Sequence, residues 1–175
     1  MTSACESGPS AWVQSHAGLV KPGGKVLDLA AGGGRHARYF KALGHRVTAL
    51  DRDVSGLKDL AEAGAEILTV DLEDGSPWPL GAREFDGIVV TNYLHRPLLA
   101  HLASALASGG VLIYETFGIG NERFGKPSNP NFLLRPGELL EFAAVHGLQV
   151  LAYACGEVAE PKAAVTQRMV ARRLA

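Results

Sequence analysis

The stretch VLDLAAGGGRHARYF at 26–40 narrows most sharply what this chain can fold into. An apolar run with strand character passes through three glycines into residues with helical spacing, and one acid, Asp28, interrupts the run. Gly32, Gly33 and Gly34 permit positive φ and let a ligand approach bare backbone. The helix that follows offers unpaired N–H groups and partial positive charge, which suit an anion. A carboxylate within an apolar run is costly unless paired. Asp28 is therefore expected to face a crevice and accept hydrogen bonds from a bound cation or its shell.

The same alternation continues along the chain. Strands are expected at 25–30, 46–51, 65–72, 85–92, 111–117, 148–156 and 164–174. Helices are expected at 35–44, 54–64, 97–110 and 136–147, with a short one at 10–20 capped by Ser10. Apolar strands alternating with helices imply a parallel sheet covered on both faces. The last two strands are joined by too short a loop for a helical crossover, so they should be antiparallel. The expected fold is α/β: a doubly wound, mostly parallel seven-stranded sheet of Rossmann-like type, with one antiparallel strand near the C-terminal edge. In such sheets a ligand binds at the carboxyl ends of the strands, where strand order reverses. The glycines lie at that crevice.

Composition excludes several classes. The chain has 175 residues and a net charge of -1, so no global basic field draws it to nucleic acid or anionic lipid. No apolar run reaches the ~18 residues of a membrane span, and the start, MTSACESGPSAW, does not read as a signal peptide. Cys5 and Cys155 make a poor disulfide framework and read as free thiols, which points to the cytoplasm. Residues 1–9 are expected to form a disordered tail and 10–175 a single domain. The six histidines show no metal-ligand spacing, and no metal is expected; His36 is expected at a helix surface.

GGGRHA at 32–37 satisfies G-x-G-x-x-G/A, and Asp51 ends the second strand, where an acid would hold ribose hydroxyls. A nicotinamide-dependent oxidoreductase is thus one reading. Three features favour another. Asp28 precedes the loop, Asp71 ends the third strand, and the tail strand is antiparallel with no second domain left for a dehydrogenase substrate. On these residues the chain resembles the class I S-adenosylmethionine-dependent methyltransferases, especially the small stand-alone type related to the tellurite-resistance methyltransferases. The likeness is most specific over VLDLAAGGGRHARYFKALGHRVTALDRD at 26–53. Ala30 departs from it, standing where the family has its first glycine after the acid.

The resemblance implies S-adenosyl-L-methionine as cofactor and a role for each matching residue. Asp28 would anchor the cofactor's amino group, while Ala30, Gly32 and Gly34 would line its methionine part with backbone. Asp51 would accept both ribose hydroxyls and Arg52 would lie along the adenine. Asp71 would bond the adenine amino group, with Leu72 packed on the ring. Asn92 and Tyr93 would lie beneath the sulfonium and its methyl group. His95, in NYLHRP after the fourth strand, is a candidate base or substrate contact beside Tyr93, and Arg96 a candidate for an anionic substrate. Tyr114 and Glu115 end the fifth strand and are expected to face the substrate.

The segment GIGNERFGKPSNPNFLLR at 118–135 is longer than an ordinary connection and carries Phe124, Phe132, Leu133 and Leu134. It is expected to form a substrate lid with Asn121, Glu122, Arg123 and Arg135 as polar contacts. Trp12 would wall the cofactor or pack in the core. The expected activity is methyl transfer to a small-molecule acceptor, with neither membrane nor nucleic acid as partner. A nicotinamide oxidoreductase and a non-catalytic cofactor-binding module remain the alternatives.

Overall fold

The structure, a computed structural model, describes residues 8–175; most of the expected tail, and Cys5 with it, lies outside the described residues. Seven strands form one sheet in the order β3-β2-β1-β4-β5-β7-β6. They are β1 (Lys25–Leu29), β2 (Arg46–Asp51), β3 (Glu66–Thr69), β4 (Phe85–Thr91), β5 (Leu106–Phe117), β6 (Leu148–Val158) and β7 (Ala164–Arg173). The pairs β1–β2, β2–β3, β1–β4 and β4–β5 are parallel, and β7 runs antiparallel to both β5 and β6. The expected doubly wound sheet with a reversed strand is thus the observed one. Strand order reverses between β1 and β4, and the glycine loop leaves β1 at that point.

Two apolar layers cover the sheet. On one face Val26, Ala49, Val89 and Ile113 pack under α1 (Ala11–His16), α2 (Arg35–Ala42) and α3 (Lys58–Glu62). On the other Leu27, Leu50, Ile88 and Leu112 pack under α4 (Leu99–Ser104) and α5 (Glu138–Val145). Successive strand residues point to opposite faces, so strands covered on both sides read as unbroken apolar runs. Each fully buried Val, Leu or Ile contributes about 1.5–3 kcal/mol.

Several boundaries differ from the sequence expectation. The helix expected at 97–110 is a 3-10 turn over Arg96–Leu98 followed by α4, which ends at Ser104. Leu106 belongs instead to β5, opposite Phe85, and the register shifts between Phe85 and Gly87. A Cβ on Gly110 would stand 2.8 Å from the carbonyl oxygens of Ala107 and Phe85, so this approach requires glycine. The third strand ends at Thr69, and the helix expected at 54–64 opens as a 3-10 turn over Ser55–Leu57. The Ser10 cap agrees with expectation, its hydroxyl accepting the N–H of Val13 at 3.1 Å; the Asp53 carboxylate accepts the N–H of Ser55 at 3.0 Å just before the 3-10 turn.

Ala30 sits at φ 54°, in the left-handed region that disfavours side chains. An L-residue there costs about 1–2 kcal/mol. Ala30→Gly should therefore stabilise the chain by about 0.5–1 kcal/mol after the unfolded-state entropy of glycine is deducted. That corresponds to roughly 1–4 °C in melting temperature. An unchanged or lower melting point would show that the Ala30 methyl makes contacts worth more than its strain.

Candidate functional site

The crevice at the strand ends is built around the turn from β1 to α2. The N–H of Ala31 donates to Leu50 O at 3.0 Å, and the N–H of Gly32 donates to the Asp51 carboxylate at 2.8 Å. The other Asp51 oxygen accepts the N–H of Asp53 at 3.0 Å. Asp51 thus ties the glycine loop to the end of β2 while remaining partly exposed. Gly32 and Gly33 border open space. Gly34 differs, since a Cβ there would stand 2.5 Å from the Leu57 side chain. Its φ of 77° and this close packing at the start of α2 require glycine, and it does not border the first cavity as Gly32 and Gly33 do.

Asp28 is 1% exposed and accepts the N–H of Ala37, in the first turn of α2, at 2.9 Å. Burial pushes its carboxyl up to about 7, against the opposing pull of the Ala37 N–H and the Arg35 charge. Asp28 stays close to the loop without lining the open crevice. Its unfolded value is 3.8 and its folded value about 7. Between these pH values the folded chain holds a proton that the unfolded chain has released. Stability therefore falls as pH rises through this window and stays lowered above it. Asp28→Asn keeps an acceptor for Ala37 and removes the buried charge, at the cost of an extra amide donor to satisfy. It should stabilise the chain by about 1–2 kcal/mol near pH 8 and lose that gain toward pH 4. Urea midpoints at the two pH extremes measure this, and an equal effect at both would sink the charge argument.

Asp71 lies in the turn after β3, where its carboxylate accepts the N–H of Glu73 at 2.9 Å, and Leu72 packs on the apolar layer beneath. Tyr93 donates to Glu73 at 3.1 Å. Burial first, then the charges of Glu73, Asp71 and Asp51, push the Tyr93 phenol well above its usual range. Asp51, Asp71, Glu73 and Tyr93 therefore share one region of the crevice. Arg52 is exposed beside it. Asn92 has φ 53°, and its N–H donates to Glu115 O at 2.9 Å.

Two cavities meet at this edge. The first, about 650 Å³, is lined by residues 30–33, Arg38, Tyr39, Thr91 and Asn92. The second, about 590 Å³, lies between α1, the end of β5, the 118–135 segment and the β6–β7 hairpin. Asn92, Arg35 and Pro9 border both.

Other expectations are corrected. Tyr114 does not reach the crevice: it is 1% exposed in the core and its hydroxyl donates to Tyr93 O at 2.8 Å. Burial pushes its phenol above the usual range, so it holds the loop after β4 in place and cannot act on a substrate. His95 precedes the 3-10 turn at Arg96 and borders neither cavity. Arg96 holds Glu138 and two carbonyls of the 118–135 segment. Within that segment Asn121 is buried between Pro127 O and the N–H of Val165, Arg123 pairs with Glu157, and Arg135 pairs with Glu141. Glu122 accepts the N–H of Gly120.

His36, expected at a helix surface, is 2% exposed. The N–H of Ser10 donates to its Nε2 at 3.1 Å, so its hydrogen sits on Nδ1, 3.3 Å from the Thr91 hydroxyl. Burial, then the Arg35 charge, lower its pKa to about 4. Arg168 was not singled out by sequence; its guanidinium lies 5.1 Å over the Trp12 ring at the second cavity. Strand alternation places it on the face of Thr166, and this was the available signal. Among the described residues no group of metal-ligating side chains comes together, and no helix is long and apolar enough to cross a membrane.

A family model describing a methyltransferase domain matches residues 26–110. The chain is 34% identical over 131 residues to a protein-L-isoaspartate O-methyltransferase of Chlorobaculum tepidum, covering 71% of this chain and 57% of that one. It spans about half the length of the isoaspartate methyltransferases it matches. The fold superposes on TehB of Haemophilus influenzae with a TM-score of 0.75 at 22% identity, covering 94% of this chain and 62% of that one. It also superposes on a Burkholderia thailandensis 1,6-didemethyltoxoflavin-N1-methyltransferase, solved with that substrate and S-adenosylhomocysteine. That match has a TM-score of 0.69 at 24% identity and covers 94% and 77% of the two chains. The glycine loop and Asp51 lie inside the segment that matches the methyltransferase-domain family, and the chain has the fold of the class I methyltransferases.

Proposed function

We propose that the chain transfers a methyl group from S-adenosylmethionine to a small-molecule acceptor. The observation that carries this reading is the pair of chambers joined at Asn92. One is floored by bare backbone beside Asp51, and the other is roofed by the 118–135 segment. A cofactor in the first and an acceptor in the second would meet at the loop after β4. The residues present fit such a cofactor: open backbone at Gly32 and Gly33, and Asp51, Asp71 and Glu73 toward hydroxyls and positive charge. Bound there, the cofactor supplies a methyl group already activated by its sulfonium. The protein's part is alignment and exclusion of water, and good alignment can remove roughly 7–11 kcal/mol of barrier. No strong base is required of a nucleophilic acceptor atom. Tyr93 stays protonated and serves as a donor and wall.

In this reading residues 118–135 act as the acceptor lid, pinned by Arg96 at one end and Asn121 at the other. A cytoplasmic location accords with the exposed free thiol of Cys155. The nicotinamide reading of the same glycines loses its support, because the family matching them is a methyltransferase domain.

A thermal-shift series with S-adenosylmethionine, S-adenosylhomocysteine, NAD and NADP tests the proposal. A ligand at a hundred times its Kd adds about 2.7 kcal/mol, or roughly 5–10 °C in a chain of this size. Shifts with the two adenosyl-sulfur ligands alone are expected. A shift with NAD or NADP would replace the reading. Binding without turnover on broad acceptor panels would make the chain a cofactor-binding module.

A further inference from the structure

The second chamber holds three side chains with unmet hydrogen-bonding capacity. Among the described residues, Trp12 Nε1, Thr166 Oγ1 and Arg168 Nε are buried without a partner, and all three residues line this chamber. They form one cluster. Thr166 and Arg168 lie two apart on β7, opposite Phe117 and Glu115 of β5, and Trp12 lies under the Arg168 guanidinium. A buried donor without an acceptor is costly, and native structures hold few of them. Three gathered at one chamber point to a ligand that brings acceptors.

Charge points the same way. The chamber is bordered by Arg35, Lys126, Lys162 and Arg168 against Glu115 and Glu160, four basic groups to two acidic ones, in a chain whose net charge is -1. Trp12, Phe117, Phe124 and Val158 form the apolar part of its walls, beside the uncharged polar residues Ser10, Gln14, Asn92 and Asn121. A volume of about 590 Å³ suits a small organic molecule and far exceeds an inorganic ion. We infer that the second chamber binds a small organic acid, with its carboxylate toward Arg168, Thr166 and Trp12 and its apolar body against the aromatic walls. This rests on the methyltransferase reading insofar as the acid is the methyl acceptor. The anion site itself does not.

Calorimetric titration of the full chain, saturated with S-adenosylhomocysteine, tests the inference. The probes are phenylacetate, 4-hydroxybenzoate and indole-3-acetate, each beside its amide, and inorganic phosphate. Charged acceptors make stronger hydrogen bonds than neutral ones, so each bound carboxylate should exceed its amide by about tenfold or more. Arg168→Gln should abolish that preference and Thr166→Val should weaken carboxylate binding, with S-adenosylhomocysteine affinity unchanged in both. The wild-type preference stands as evidence even if a variant fails to fold. Amides binding as well as acids, phosphate binding alone, or none of the acids binding would overturn the inference. Arg168-dependent carboxylate binding in a chain that ignores S-adenosylhomocysteine would uphold the anion site and remove the methyltransferase reading.

Discussion

Asp51→Ala should cost the chain about a hundredfold or more in affinity for S-adenosylhomocysteine. The carboxylate holds the N–H groups of Gly32 and Asp53 from opposite sides, at 2.8 and 3.0 Å. It therefore fixes the loop that floors the first chamber while keeping part of its surface open. In the proposed complex it also accepts two ribose hydroxyls. Hydrogen bonds to a charged group contribute about 1.5–3 kcal/mol each, and about 1.4 kcal/mol is tenfold in affinity. Losing two reaches a hundredfold before the loosened loop is counted. Asp51→Asn keeps one acceptor oxygen and should fall between wild type and Ala. Calorimetric titration of all three, with melting curves to show that each is folded, gives the answer. Wild-type affinity in the alanine variant would remove Asp51 from the site.

Asp51 was legible because its place follows from topology. A parallel strand ending in an acid beside a glycine turn reaches the crevice whatever surrounds it. The sheet was legible for the same reason, since strands buried on both faces leave unbroken apolar runs. That property also hid detail. Val111, Leu112, Ile113 and Tyr114 are all buried, two on each face, so no alternation shows which of them reaches the crevice. Position at the strand end alone sends Tyr114 toward the substrate, although its face is the core. The helix expected to run to Gly110 failed similarly: Leu106 fits an apolar helical stripe, but pairing with Phe85 takes it into β5. The places of His36, Arg96 and Arg168 are not legible in the sequence because their partners lie far away along the chain. Ser10 and Thr91 claim the first, Glu138 the second and Trp12 the third. Local pattern carries no record of such pairs.

Arg96→Ala should cost about 3 kcal/mol of stability and free one end of the 118–135 segment. Arg96 meets Glu138 with two parallel hydrogen bonds at 2.6 and 3.0 Å, and donates to Asn131 O and Leu133 O, each at 2.9 Å. The Glu138 side chain is 7% exposed and that of Arg96 37%. Breaking a buried pair by removing one partner costs about 3–5 kcal/mol. Water reaching Arg96 places this pair at the low end. The N–H of Arg135, 2.7 Å away, still supports Glu138, whereas the two carbonyls lose their donor. A loss of about 3 kcal/mol lowers the melting temperature by roughly 6–12 °C. The pH dependence is distinctive. Burial pushes the Glu138 carboxyl up, but Arg96 and the Arg135 N–H outweigh it and hold it below its ordinary 4.5. Its contribution is therefore complete above that value and is lost as pH falls through the depressed folded value. The gap between wild type and Arg96→Ala should be full near pH 7 and narrow in acid to the part carried by the Asn131 and Leu133 carbonyls, and Glu138→Gln in the Arg96→Ala background should add little further loss. Trypsin should cut the variant faster within 118–135, at Arg123, since Lys126 and Arg135 each precede a proline. A melting point within about 1 °C of wild type, with unchanged cleavage, would show that the buried Leu133 and Leu134 hold the segment without the ion pair.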